Sequence, residues 1–290
     1  MKTVAETEDK DEEFDLKAAI RNSTFVAMKG GISGAAAMSV QVLTLMWLRT
    51  TINYQYRYGA STMQALRQLF NEGGVRRFYR GLLPSLIQGP LCRFGDIFAN
   101  DGVLHLLQQH ENTRDLPMTA KTLASSVVAA GWRTCIMPVD TMKTILQVQG
   151  KDGLSKLRMK MKARGPSVLF HGSLAASTAT FVAYYPWFAS FNYLDSVLPA
   201  ADTRIQRLYR YASIGFVSSV ISDVTSNSIR VVKTVRQTSE TTISYAQSMR
   251  GVIERDGLFG LFSRGLKTKI IAHGFQSMVF TVIWKYIQPQ

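Results

Sequence analysis

Charged side chains inside apolar segments are the residues of this 290-residue chain with the most chemistry to offer. They occupy positions where a lipid bilayer would penalise a charge: Arg93, Asp96, Arg133, Asp140, Lys143, Asp223, Arg230 and Lys233. A charge within a membrane span is costly, so it normally faces an internal cavity or a partner. The pattern therefore indicates a polar space inside an apolar bundle, where a solute binds without covalent chemistry.

Catalytic and metal-binding patterns do not accompany these charges. The sequence contains no phosphate loop and no nucleophile–histidine pair. Cys92 and Cys135 form no metal or redox spacing, and His105 and His110 fall on different helix faces because they are five residues apart. The sequence therefore predicts a protein that is not an enzyme and that holds no metal or cofactor.

Two uncharged runs, 30–48 and 172–194, are long enough to cross a bilayer as helices. Four weaker apolar segments, which carry the charges named above, complete a set of six: roughly 81–107, 123–147, 211–235 and 270–287. The long run 172–194 also excludes a soluble nucleic-acid-binding protein.

Three short pieces recur in the same order along the chain, which indicates an internal repeat. A glycine-bearing turn occurs at 78–82, 169–173 and 262–266, and a related piece precedes each turn at 39–44, 138–143 and 228–233. The stretches 49–80, 143–171 and 230–269 together hold 21 of the 34 basic residues. Basic loops lie on one side of a membrane, so each repeat must contain two spans.

The first 18 residues are acidic, with seven carboxylates against three lysines. This composition is the opposite of a transit peptide, so we expect any organelle address to lie in the body of the chain.

These pieces resemble the mitochondrial carrier family, whose signature is P-x-[D/E]-x-x-[K/R] followed by a glutamine, a short helix and an aromatic-basic-glycine turn. Repeat two matches through Pro138, Asp140, Lys143 and Gln147, followed by the turn at 170–172. The resemblance covers nearly all of 20–288. It implies an all-α membrane protein with six transmembrane helices in three pseudo-threefold repeats, each with a short matrix-side helix.

The same resemblance implies the mitochondrial inner membrane, with both termini toward the intermembrane space. The expected parts are an acidic tail at 1–19 and carrier repeats at 20–112, 113–203 and 204–290.

The family closes the matrix end of its cavity with ion pairs between repeats. At the corresponding positions of this sequence, the expected pairs are Thr44 with Asp140, Lys143 with Arg230, and Lys233 with Gln41. None is a salt bridge, and the second brings two cations together, so we expect a weakened matrix gate.

The outer gate, counted from the turn glycines, contains Asp101, Asn192, Asp195, Lys285 and Gln288. Asp195 occupies a position where the family has a base, and Lys285 occupies the facing position where the family has an acid. We therefore expect one salt bridge between them, with its charges exchanged. Asp101 is expected to accept a hydrogen bond from Gln288. In the alternative, Asp195 and Lys285 are solvated near helix ends.

The resemblance also assigns substrate contacts along the second span of each repeat: Gln88, Asp96, Ala179, Thr180, Tyr184, Ala272 and His273. The absence of arginine from the family's contact positions argues against a polyanionic solute, although Arg93 and Arg133 are candidates to replace it. Asp96, with Tyr184 and His273, would suit a cationic or zwitterionic solute. Alternatively, Asp96 pairs with Arg93 or Arg133 for structure alone.

Arginines and glycines at the turns are the expected cardiolipin sites of the family: Arg80, Gly81, Gly172, Arg264 and Gly265. In the other interpretation, the two arginines act only as topology charges on the matrix side.

Two functions follow from the resemblance. The first is a solute carrier that moves a small metabolite by alternating access. The second is a transport-inactive scaffold within a large inner-membrane complex, such as a respiratory complex, because the expected matrix gate has lost its salt bridges. The sequence specifies neither the solute nor a coupling ion.

Overall fold

The computed structural model describes residues 16–109 and 111–287, excluding the side chains of 111, 112, 119 and 277–287 and of most residues before 35. The described chain consists of α-helices and two short 3₁₀ helices. The helices of the first half are α1 (Leu16–Tyr58), α2 (Thr62–Phe78), α3 (Leu82–Gln109), α4 (Glu111–Arg114), α5 (Met118–Cys135) and α6 (Met137–Gln149). Those of the second half are α7 (Gly153–Arg164), α8 (Ser173–Val197), α9 (Arg204–Thr238), α10 (Tyr245–Ser263) and α11 (Leu266–Ile287).

Six long helices form a closed ring, which confirms the six-helix prediction. Helix α1 packs on α3, α3 on α5, α5 on α8, α8 on α9, α9 on α11, and α11 back on α1. The broken pair α5 and α6 counts as one span. The ring encloses a central space into which polar side chains can project without contacting lipid.

A short helix joins the two spans of each repeat: α2, α7 and α10. Helices α2 and α10 begin with capping boxes, in which Ser61 pairs with Gln64 and Ser244 pairs with Gln247. Each box satisfies backbone N–H groups at the helix start, and so fixes where the linker ends and the helix begins.

The first span of each repeat, called its odd helix here, is α1, α5 with α6, or α9, and the three differ in how they bend. Pro138 lies at the start of α6, and the helical span is interrupted at Ile136, as expected for a residue that lacks a backbone N–H. Helix α1 also bends, at Leu45, where φ is −112° and ψ is 15°. No proline accompanies that bend, whereas α9 runs without interruption from Arg204 to Thr238.

By length and composition alone, one of the described helices qualifies as a membrane span, at Ala35–Tyr58. Most of the remaining spans carry charged residues of the central space, which lowers their mean hydropathy. Helix α8 contributes no charge to that space but is rich in serine, threonine and tyrosine, which have the same effect.

The three turn glycines hold neighbouring repeats together. Gly81, Gly172 and Gly265 have φ values of +82°, +95° and +65°, in the left-handed region that favours glycine. Each packs against the odd helix of the next repeat: Gly81 against the backbone of Lys143, Gly172 against the side chain of Lys233, and Gly265 against the ring of Tyr56. A Cβ on any of the three would stand about 3 Å from its neighbour, so only glycine permits this approach.

Replacing Gly265 by alanine should destabilise the protein, because the new Cβ would lie 2.9 Å from Tyr56 Cε1 at a residue with φ of +65°. The left-handed conformation alone costs an L-residue about 1–2 kcal/mol. We expect a clear drop in the thermal unfolding midpoint of the detergent-solubilised protein.

Gly251→Ala is the matched control, since Gly251 lies inside α10, where an added methyl group would meet no packed neighbour within 4 Å. We expect that variant to unfold at or slightly above the wild-type temperature. Equal midpoints for the two variants would contradict the close glycine contact.

Candidate functional site

The space inside the helix ring is a cavity of about 690 Å³ to which all three repeats contribute. Its wall combines aromatic residues such as Tyr184 and Trp187 with many charged groups. The charged residues that line it are Arg49, Arg93, Asp96, Asp101, Arg133, Lys143, Asp223, Arg230, Lys269 and His273. A volume of this size accommodates a metabolite.

Two acids of the cavity are already neutralised by cations of the protein. Asp96 on α3 accepts a hydrogen bond from Arg133 on α5 at 2.7 Å. Asp223 on α9 contacts Lys269 at 2.6 Å and His273 Nδ1 at 2.8 Å, both on α11. Both pairs join different helices, so they stabilise the ring as well as line the cavity.

At the end nearest the short helices, the cavity narrows to a space of about 160 Å³. Asp140 lies here, 7% exposed, with its carboxylate 2.5 Å from Lys233 Nζ and 3.5 Å from Lys143 Nζ. Lys143 also donates a hydrogen bond of 3.0 Å to Gln88 on α3. Asp140 therefore joins repeats two and three through a buried ion pair.

Neutral hydrogen bonds join the repeats at the same level. Asn53 on α1 donates to Gln147 on α6 at 2.5 Å. The hydroxyl of Tyr56 donates to Asn227 on α9 at 3.0 Å. With Gln237 of α9 donating to Thr141 at 3.1 Å, every boundary between repeats is crossed, which closes this end of the cavity.

The glycine contacts align the odd helices with one another. Gly265 packs against the carbonyl of Ile52, as Gly81 packs against that of Lys143 and Gly172 against Lys233. Ile52, Lys143 and Lys233 are therefore equivalent. The family's acid position, three residues earlier, is then occupied by Arg49, Asp140 and Arg230.

In repeat one this alignment differs from the one expected from the sequence, which placed Gln41 and Thr44 in these positions. Gln41 instead bonds to Gln276 on α11, and Thr44 is exposed and donates to the carbonyl of Val40 in its own helix. The difference arises because repeat one has no proline, acid or lysine at its signature positions. The sequence alignment therefore matched 39–44 by chance, eight residues before the segment that the structure aligns with the other two repeats.

The expected gate pairs are accordingly rearranged. Asp140 pairs with Lys233 of repeat three rather than with Thr44. Lys143 and Arg230 make no direct bond; Arg230 donates to Ser226 at 3.2 Å.

The structure brings the predicted substrate contacts together around the central space: Gln88, Asp96, Ala179, Thr180, Tyr184, Ala272 and His273. Asp223, which the sequence predicted to face a polar space, lines it as well. Arg49 and Lys269 line the same space but were not assigned a role from the sequence. Two features of the sequence could have identified them. Arg49 follows directly on an uncharged run, and Lys269 lies one helical turn before His273.

The outer-gate residues lie toward the other end of the spans. Asp195 on α8 pairs with Arg210 on α9, and Asp101 accepts a hydrogen bond of 3.1 Å from Asn100. Asn192 is exposed. The Lys285 side chain and Gln288 lie outside the described residues, as do the bonds predicted for them.

The turn arginines differ from one another in exposure. Arg264 is 6% exposed, and its guanidinium contacts Asp256 at 2.6 Å and the carbonyl of Tyr56 at 3.2 Å. Its hydrogen-bonding groups are thus directed into the protein. Arg80 is half-buried, and Gly172 opens α8 without a side-chain cap.

Comparisons with known proteins agree with this architecture. Two segments, 21–111 and 114–201, match the family described as "Mitochondrial carrier protein". The chain is 23% identical over 244 residues to mitochondrial thiamine pyrophosphate carrier 1 of Phaeosphaeria nodorum, which covers 78% of this chain and 75% of that protein.

A second relative is the mitochondrial carnitine/acylcarnitine carrier-like protein of Arabidopsis thaliana. It is 24% identical over 172 residues, which covers 54% of this chain and 53% of that protein. The matched part thus spans about half of this relative's length.

Asp140→Asn should destabilise the protein strongly, because it leaves two half-buried cations, Lys143 and Lys233, without a carboxylate. Breaking a buried ion pair from one side costs about 3 kcal/mol or more. We expect a large drop in the thermal unfolding midpoint in detergent. Asp152→Asn, at an exposed acid between α6 and α7, is the control and should change little.

A second substitution, Lys233→Met, should recover part of the stability lost by Asp140→Asn, because it removes one uncompensated cation. Strictly additive effects of the two substitutions would rule out direct coupling between Asp140 and Lys233.

Proposed function

Since the chain belongs to the mitochondrial carrier family, we propose that it moves a small metabolite across the mitochondrial inner membrane by alternating access. The observation that carries this proposal is the polar cavity of about 690 Å³ inside the helix ring. A transporter needs such a space near the middle of the membrane, reached from one side at a time.

The contacts at the two ends of the cavity support two gates. Asp140 with Lys233, and Asn53 with Gln147, join the repeats at the end nearest the short helices. Among the described residues, fewer bonds join the repeats near Asp101 at the other end. Solute binding would drive transport by favouring the conformation in which the closed end opens and the open end closes.

We infer that the short helices α2, α7 and α10 face the matrix, because the basic stretches of the chain include them. Both termini then face the intermembrane space. Cardiolipin binding is part of the same proposal at Gly172, where α8 begins without a side-chain cap and its first backbone N–H groups favour a phosphate. The half-buried Arg80, beside Gly81, would supply a cation at the equivalent turn of repeat one. The burial of Arg264 makes it a weaker candidate, and Gly265 is already packed against Tyr56.

The two relatives carry different names: one is a thiamine pyrophosphate carrier and the other a carnitine/acylcarnitine carrier-like protein. Their names together support a small organic solute as cargo without selecting one class.

Exchange by the purified protein in liposomes tests the proposal. Vesicles loaded with a panel of metabolites should take up at least one radiolabelled metabolite faster than empty vesicles. Ile97→Trp fills part of the cavity wall and should reduce exchange to the empty-vesicle level. Val127→Trp, a substitution at a 60% exposed position on α5, is the matched control and should keep the wild-type rate.

Failure of exchange across the whole panel would contradict transport. If the protein from mitochondria also migrates quantitatively with a megadalton complex on mild-detergent native gels, the scaffold function would replace it. Migration near the monomer size would agree with a carrier.

A further inference from the structure

The cavity has an excess of positive charge that the protein does not neutralise. Among the acids that line it, Asp96 and Asp223 are engaged by Arg133 and by Lys269 with His273, and Asp101 accepts a hydrogen bond from Asn100. Three guanidinium groups of the cavity wall have no carboxylate within 4 Å in the described part of the chain: Arg49, Arg93 and Arg230.

Two of these arginines, Arg49 and Arg230, line the main cavity, and Arg230 also lines its narrow end. Arg49 and Arg230 occupy the positions equivalent to Asp140, so two of the three acid positions at this level carry the opposite charge. Lys143 and Lys233 occupy the next positions. Both lysines share the carboxylate of Asp140, at 3.5 Å and 2.5 Å. Asp140 is the one carboxylate in this group, so the group carries a net positive charge.

The hydrogen bonds of the two arginines leave most of their donors available. The described contacts of Arg49 consist of a 3.6 Å approach of Nη2 to the sulfur of Met38. Arg230 uses Nε for Ser226. A guanidinium group presents five N–H donors in a planar fork that matches the oxygens of a carboxylate or a phosphate.

We propose that the main cavity, where it meets its narrow end, binds an oxyanion group of the solute between Arg49, Lys143 and Arg230. The proposal rests on the proposed function and specifies its substrate class: a small solute with at least one carboxylate or phosphate group. The bound oxyanion supplies negative charge at a level where two arginines stand in the place of acids, so its binding stabilises the protein.

A cationic solute fits the structure less well than the sequence implied. Asp96 and His273, two residues expected to contact such a solute, are committed to Arg133 and Asp223. Asn53 and Thr180 line both the main cavity and its narrow end, where they supply neutral hydrogen-bonding groups beside the cations.

Thermal unfolding of the purified protein in detergent tests the site without transport. Sodium phosphate, sodium pyrophosphate and sodium succinate would be compared with sodium chloride and choline chloride at equal ionic strength. We expect at least one of the three oxyanions to raise the unfolding midpoint by about 5 °C at saturation. The ranking of the three distinguishes a phosphate from a carboxylate group.

Arg49→Gln and Arg230→Gln should each remove most of that increase. Arg230→Lys, which keeps the charge, should retain part of it. Arg158→Gln, at an exposed arginine on α7, is the matched control and should retain all of it. Each increase is measured against the same variant in chloride, so a change in basal stability does not affect the comparison.

The absence of an increase with every oxyanion would overturn the site, as would equal increases in the cavity variants and the control. The two proposals fail separately. A stabilising oxyanion without exchange in liposomes would refute transport but keep the site. Exchange of a purely cationic solute, without stabilisation by oxyanions, would refute the oxyanion site but keep transport.

Discussion

The close approach of each turn glycine to the next repeat is the constraint on which the rest of the structure depends. Gly81, Gly172 and Gly265 adopt a left-handed conformation and pack against the odd helices of their neighbours. Because the contacts run from repeat one to two, two to three and three to one, they close the ring. They also fix the height and rotation of each odd helix, and this rotation places Arg49 rather than Thr44 beside the cavity.

Burial of charge explains why the closed ring is needed. The charged residues of the spans would be expensive in lipid, and in the described part of the chain they face the central cavity or each other. Asp140 has a special place among them, since its carboxylate contacts Lys143 of its own repeat and Lys233 of the next. The family fold normally distributes such contacts among three acids. Here one acid carries the ionic contact, and neutral pairs such as Asn53 with Gln147 complete the closure.

Much of this architecture could be predicted from the sequence, because its signals are local or repeated. The apolar runs, basic linkers and turn glycines predicted three helical pairs. Pro138 is a residue that interrupts helices, and the structure has such an interruption at Ile136. The register of repeat one could not be predicted, since no proline or acid marks its bend at Leu45 and only the contact of Gly265 with Tyr56 reveals it. The partner of Asp195 depends on how α8 and α9 pack, so spacing alone did not identify Arg210.

Thiol accessibility in the membrane tests the register of repeat one most directly. In a background in which Cys92 and Cys135 are replaced by alanine, Arg49→Cys and Thr44→Cys would be exposed to a charged, membrane-impermeant thiol reagent. Arg49 lines the aqueous cavity, whereas Thr44 is on the outer surface of the ring, where lipid would cover it. We expect rapid labelling at position 49 and little at position 44. Rapid labelling at position 44 with protection at position 49 would contradict the alignment, and with it the contribution of Arg49 to the cationic lining of the cavity.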